Sequence, residues 1–95
     1  MIQKIRKKPV EIEAIQFNNI NYPEIEEFVG KKVKVNLESE TAYLAGIAPP
    51  QFSLSIDTDR GVMKMFPTDW IIKEFLFGDF YICKNKYFVD IYDIL

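Results

Sequence analysis

Apolar and polar positions alternate along Val10-Glu11-Ile12-Glu13-Ala14, the period-2 pattern of a strand with one wet face. Ile15 and Phe17 continue on the opposite parity, which predicts either a β-bulge near Ala14 or two buried faces beyond it. Asn18 to Asn21 read as a loop. Asn21 followed by Glu24 resembles a capping box, and Pro23 sits in the first turn, where a missing N–H costs nothing. Ile25, Phe28 and Val29 then form one apolar stripe and Gly30 stops the helix.

Val33, Val35 and Leu37 alternate with lysines and Asn36 as a second strand. Residues 38–50 carry Ala, Gly and a Pro-Pro pair and read as a loop with an exposed tip. Phe52, Leu54 and Ile56 form a strand, Asp57 to Gly61 a hairpin turn, and Val62 to Phe66 its partner. After the Pro67-Thr68-Asp69 turn, Trp70-Ile71-Ile72-Lys73 is dense enough to be buried on both faces. Phe80 to Cys83 is a further strand. In the tail, Phe88, Ile91, Tyr92 and Leu95 keep helical spacing while Tyr87, Val89 and Ile91 keep strand spacing. A short helix from near Asn85 is the favoured reading. The order predicts a single α+β domain over 1–95: a mainly antiparallel, curled sheet with one short helix after the first strand and another at the C-terminal end.

Composition narrows the function classes. The chain is 48% hydrophobic and 15% aromatic, ample for a core in 95 residues and against disorder. Twelve basic residues face 14 acidic ones, a net charge of −2. A nucleic-acid binder shows a basic excess and a DNA mimic an acidic one, so nucleic acid is not the expected partner. One cysteine, Cys83, offers no disulfide. The basic N-terminal stretch lacks the apolar run of a signal peptide, and no stretch approaches the ~20 apolar residues of a membrane span. The expected location is cytoplasmic.

Candidate chemistry is sparse. Histidine is absent and the four glycines are scattered, which removes the commonest general base, most zinc sites and any phosphate loop. No cofactor, metal or catalytic residue is expected, and the chain reads as a non-enzyme. Asp57 and Asp59 flank a turn but lack the further oxygen ligands of a calcium loop. Glu24, Glu26 and Glu27 read as a solvated helix face, and Cys83 as an inert, half-buried thiol. Arg6-Lys7-Lys8 is the one basic run and Lys31, Lys32 and Lys34 a looser one. With Tyr22 or Tyr43 they form either a cationic patch for a phosphate or carboxylate-bearing partner or, for the run before the first strand, a gatekeeper against aggregation. The sharpest feature is Phe75-Leu76-Phe77 beside Gly78: three apolar residues at an expected hairpin turn, either an interface or a cap on the core.

The blocks Arg6-Lys7-Lys8-Pro9-Val10-Glu11-Ile12-Glu13-Ala14-Ile15-Gln16-Phe17 and Pro67-Thr68-Asp69-Trp70-Ile71-Ile72-Lys73-Glu74, with Gly78-Asp79-Phe80-Tyr81-Ile82-Cys83-Lys84 and then Phe88 and Tyr92, resemble a family of small phage and prophage proteins. Thr68 and Glu74 depart from it where its pattern has Gly, and Ile82 where it has Pro. The resemblance implies action in the cytoplasm of an infected bacterium and brings no catalytic residues. Three functions are then open. The first is a module binding a host protein, such as a defence component, or a phage protein through Phe75, Leu76 and Phe77. The second is a homo-oligomer sequestering a nucleotide-type small molecule with Arg6, Lys7, Lys8 and Tyr81. The third is a minor virion-associated structural protein.

Overall fold

The computed structural model describes residues 1–6, 12–38, 40–58, 60–74 and 79–95. Six strands and three helices follow in the order β1 (Glu13–Gln16), α1 (Tyr22–Val29), β2 (Lys34–Glu38), α2 (Glu40–Leu44), β3 (Gln51–Thr58), β4 (Gly61–Met65), β5 (Trp70–Glu74), β6 (Asp79–Cys83) and α3 (Asn85–Ile91). The expected antiparallel α+β class holds. The strands divide between two three-stranded sheets, ordered β1-β5-β6 and β2-β3-β4.

The first sheet explains the parity switch at Ala14. Pairing runs without interruption from Glu13 opposite Lys73 to Gln16 opposite Trp70, so there is no bulge in this stretch. Cross-strand partners share a face: Ile15, Ile71 and Ile82 stand on one side, and Ala14, Ile72 and Tyr81 on the other. The first side enters the main core with Ile25 and Val29 of α1. The second side is covered by α3. Trp70 stacks on Phe88 with centroids 3.9 Å apart and planes 4° off parallel, and Tyr92 lies 5.0 Å beyond Phe88. Ile71 and Ile72 are both fully buried, the two-faced burial that the apolar density of β5 predicts. The Trp70 indole N–H donates to Asn85 Oδ1 at 2.9 Å, which fixes the start of α3 and satisfies the half-buried donor.

In the second sheet Val35, Leu54 and Met65 are successive partners on the core side, while Lys34, Ser55 and Lys64 face outward. One apolar cluster draws on both sheets and α1: Phe17, Ile25, Val29, Val33, Leu54, Ile56, Met65 and Ile71.

Two local expectations are corrected. Asn21 makes no side-chain cap on α1. Its amide is taken by the preceding loop, accepting from Asn18 N–H and donating to the Gln16 carbonyl, both at 2.9 Å. Asx-type loop bonding has won over helix capping. Gly30 does stop α1, in left-handed conformation with its N–H on the Glu26 carbonyl at 2.9 Å. Within the expected 38–50 loop, Glu40–Leu44 folds as a one-turn helix. None of its residues is buried, so it leaves no apolar stripe to read.

The β4–β5 turn joins the two sheets. Asp69 N–H bonds the Phe66 carbonyl at 3.0 Å, with Pro67 and Thr68 between them and Thr68 at φ +77°. A proline followed by a left-handed residue is the type II arrangement, and that position favours glycine. A β-branched residue there is strained. Thr68→Gly is expected to stabilise the protein by about 1 kcal/mol, the relief of strain less the added freedom of the unfolded chain. In thermal melts this reads as a rise of roughly 4–8 °C; an unchanged or lower Tm contradicts the strained turn.

Candidate functional site

A hollow of about 410 Å³ opens where the two sheets meet, lined by Phe17, Asn19, Ile20, Tyr22, Glu26, Val33, Val35 and Phe52. Its floor comes from core residues: Phe17 from the end of β1 and Val33 from the approach to β2. Its rim is exposed and apolar. Ile20 is 76% exposed, Tyr22 42% and Val35 39%, with Leu37 the next residue on the same side of β2. β2 is an edge strand, so its outer backbone groups face no partner strand among the described residues.

Asn19 builds this hollow. Pairing of β3 with β4 ends at Leu54 opposite Met65, leaving the Phe52 N–H beyond the ladder. Asn19 takes it: Oδ1 accepts from Phe52 N–H at 2.7 Å and Nδ2 donates to the Pro50 carbonyl at 3.0 Å. The side chain thus stands in for a strand residue and ties the β1–α1 loop to the second sheet. Asn19 itself has φ +81°, a conformation asparagine tolerates better than most residues. Ile20 follows directly, and Ile20 N–H bonds Asn18 Oδ1 at 3.1 Å, so the loop holds an isoleucine outward at the rim.

The outer face of the second sheet carries a polar ladder. Ser53 is fully buried and donates to Glu38 Oε1 at 2.5 Å; Lys64 reaches the same oxygen at 2.9 Å. Asn36 Nδ2 donates to Ser55 Oγ at 3.0 Å and to Ser53 Oγ at 3.4 Å. The Ser53 hydroxyl first, and then the Lys64 ammonium, hold the Glu38 carboxyl below its ordinary range, against a smaller upward effect of desolvation.

The residues singled out in the sequence are dispersed. Phe75, Leu76 and Phe77 lie outside the described residues, in the four-residue connection between β5 and β6. Lys7 and Lys8 also lie outside them. Arg6 is exposed in the N-terminal segment. Tyr81 is half-buried on the α3 side of its sheet, its hydroxyl 3.1 Å from that of Tyr92. The looser cationic run is spread by the fold: Lys31 Nζ donates to the Asp57 carbonyl, Lys32 pairs with Glu26 at 3.6 Å, and Lys34 is exposed on β2. Tyr22 borders the hollow, whereas Tyr43 sits on α2. Cys83 is half-buried with Sγ 3.6 Å from the Lys84 carbonyl. Asp57 is exposed, and Asp59 lies outside the described residues. Among the described residues no group of three or more Cys, Asp or Glu side chains is placed to hold a metal. No helix of the described residues is long and apolar enough to cross a membrane.

The hollow itself is not visible in the strand and helix patterns. One signal marks it: Ile20 is an isoleucine in an asparagine-rich loop, Asn18-Asn19-Ile20-Asn21. An apolar side chain among loop-forming amides has no core role to fill.

The Glu38 carboxyl gives this face a pH dependence. Its folded pKa lies below the unfolded one, so the stabilisation is fully present above the unfolded value. It is lost as pH falls through the folded value. Lys64→Met raises the folded pKa toward the unfolded one, and urea unfolding between about pH 5 and pH 3 should then lose less stability on acidification than wild type. Identical acid limbs in the two proteins contradict this.

Compared with known proteins, the chain matches no family model, no curated protein and no solved structure.

Proposed function

We propose that the chain is a non-catalytic binding module that takes an extended segment of a protein partner along β2, with a large apolar side chain of that segment seated in the hollow. The observation that carries this reading is the conjunction of an open strand edge with an apolar hollow and exposed Ile20, Tyr22, Val35 and Leu37 beside it. Strand addition supplies affinity through main-chain hydrogen bonds, and pockets at alternate side chains supply specificity. Val35 and Leu37 are spaced two apart on β2, the repeat such a partner presents.

The chemistry of the lining favours a protein over a nucleotide. Its one charged residue is acidic Glu26, paired with Lys32, so no cation lines the hollow to meet a phosphate. Aromatic and aliphatic walls with the Asn19 amide at one side suit an apolar anchor. The resemblance to small phage and prophage proteins supports a bacterial host protein, or another phage protein, as the partner, met in the bacterial cytoplasm.

Wild type immobilised in a bacterial lysate is expected to retain a defined polypeptide. Val35→Asp and Tyr22→Ala are expected to weaken its capture by roughly 30-fold, the loss of an interface hot spot of about 2 kcal/mol. Both side chains are about 40% exposed at the rim, and circular dichroism and Tm, read alongside capture, should stay near wild type. Val62→Asp, on an exposed residue of β4, is the control and should bind normally. Equal capture by wild type and Val35→Asp rules this surface out.

A further inference from the structure

A second apolar surface lies on the opposite side of the first sheet, and it does not rest on the reading above. Between β1 and α3 runs a groove of about 720 Å³ whose apolar lining includes Ile12, Trp70, Ile91 and Ile94. Ile91 is 67% exposed and Ile94 78%, so water meets large aliphatic side chains there. Asp93 lines the same groove, and Glu13 borders it at the open edge of β1, on the face it shares with Ile15. β1 is the outer strand of its sheet and faces no further strand among the described residues.

The chain also carries a segment with the complementary character. Every residue from Met1 to Arg6 is exposed, with Met1, Ile2 and Ile5 each at 91% or more. Three large apolar side chains stand in water there, interleaved with Lys4 and Arg6, and the sequence continues basic with Lys7 and Lys8. The molecule is correspondingly long. It measures 62 × 28 × 27 Å with a radius of gyration of 16.3 Å, against about 12 Å for a compact chain of this length.

We propose that residues 1–6 of one copy dock in the β1–α3 groove of a second copy, and reciprocally, forming a two-fold dimer. Met1, Ile2 and Ile5 supply apolar contact, Lys4 and Arg6 meet Asp93 in the groove and Glu13 around the β1 edge, and that open edge accepts main-chain hydrogen bonds. A second copy is the occupant because the basic, apolar segment that fits the acidic, apolar groove is this chain's own, and on its own body the segment remains exposed. Exchange of such a segment closes on itself after two copies, leaving no open chain of contacts.

A charge swap tests this on the full chain by native mass spectrometry and sedimentation. The four residues exchanged are all exposed, so the variants should fold as wild type does. Wild type is expected to be dimeric. Lys4→Glu/Arg6→Glu and Glu13→Lys/Asp93→Lys should each dimerise at least tenfold more weakly. Mixed in equal amounts they should regain a heterodimer, since both docked segments then meet opposite charge. The proposal is overturned if wild type is monomeric, or if its dimer is indifferent to both double variants. It is also overturned if mixing restores nothing, which would place the segment on its own chain's groove.

Discussion

A buried carboxylate at the junction of the two sheets is the constraint on which the rest of this structure depends. Asp69 is 2% exposed. One of its oxygens, Oδ2, accepts from the Phe66 N–H at 2.9 Å and from the Lys84 ammonium at 3.0 Å. Its backbone carbonyl accepts from Phe17 N–H at 2.9 Å, while the Phe17 carbonyl accepts from Thr68 N–H at 2.8 Å. Thus one residue touches the chain leaving β4, the end of β1 and the residue before α3. A carboxylate withdrawn from water in this way is tolerable because charged and backbone donors meet it.

The consequences spread outward from that junction. With Phe17 pinned, its side chain enters the shared core and floors the hollow, and Asn19 two residues on reaches the start of β3 on the side that β4 leaves open. The hollow is therefore a by-product of two sheets that share one core: the loop after β1 gives Phe17 and the Asn19 rim, and the second sheet gives Val33 and the β2 wall. With Lys84 pinned, α3 is set to cover the second face of β5, and the β1–α3 groove opens beside it. Both apolar surfaces flank edge strands, where a chain can add backbone hydrogen bonds as well as side-chain contact.

Much of this architecture is legible in the residues. Period-2 runs located β2 and β3, the run read from Val10 and Glu11 begins outside the described residues, and the unbroken apolar run at Trp70-Ile71-Ile72 announced burial on two faces. Gly30 marked the end of α1, and Asn85 the start of α3. Other features depend on contacts that no local pattern carries. The division into two sheets rests on β1 pairing with β5, 54 positions away at Gln16–Trp70 and 60 at Glu13–Lys73, rather than with β2. Ser53 looks like an outward polar residue, yet it is buried beneath Glu38 and Lys64 partners supplied by adjacent strands. Asn21 has the chemistry of a helix cap and is diverted by Asn18 and Gln16. The hollow combines residues 17–26 with 33–35 and 52, each unremarkable alone, and only Ile20 in its asparagine loop hints at it.

The most direct test of the Asp69 junction is amide hydrogen exchange on Asp69→Ala beside wild type. Removal of the carboxylate leaves the Phe66 N–H without its acceptor and frees Lys84, a loss of about 2 kcal/mol. If the junction couples the sheets, protection should fall by that amount together in β1, β3 and β5, with the two sheets opening as one unit. A loss confined to residues 66–69, with β3 and β5 as protected as in wild type, would contradict the account.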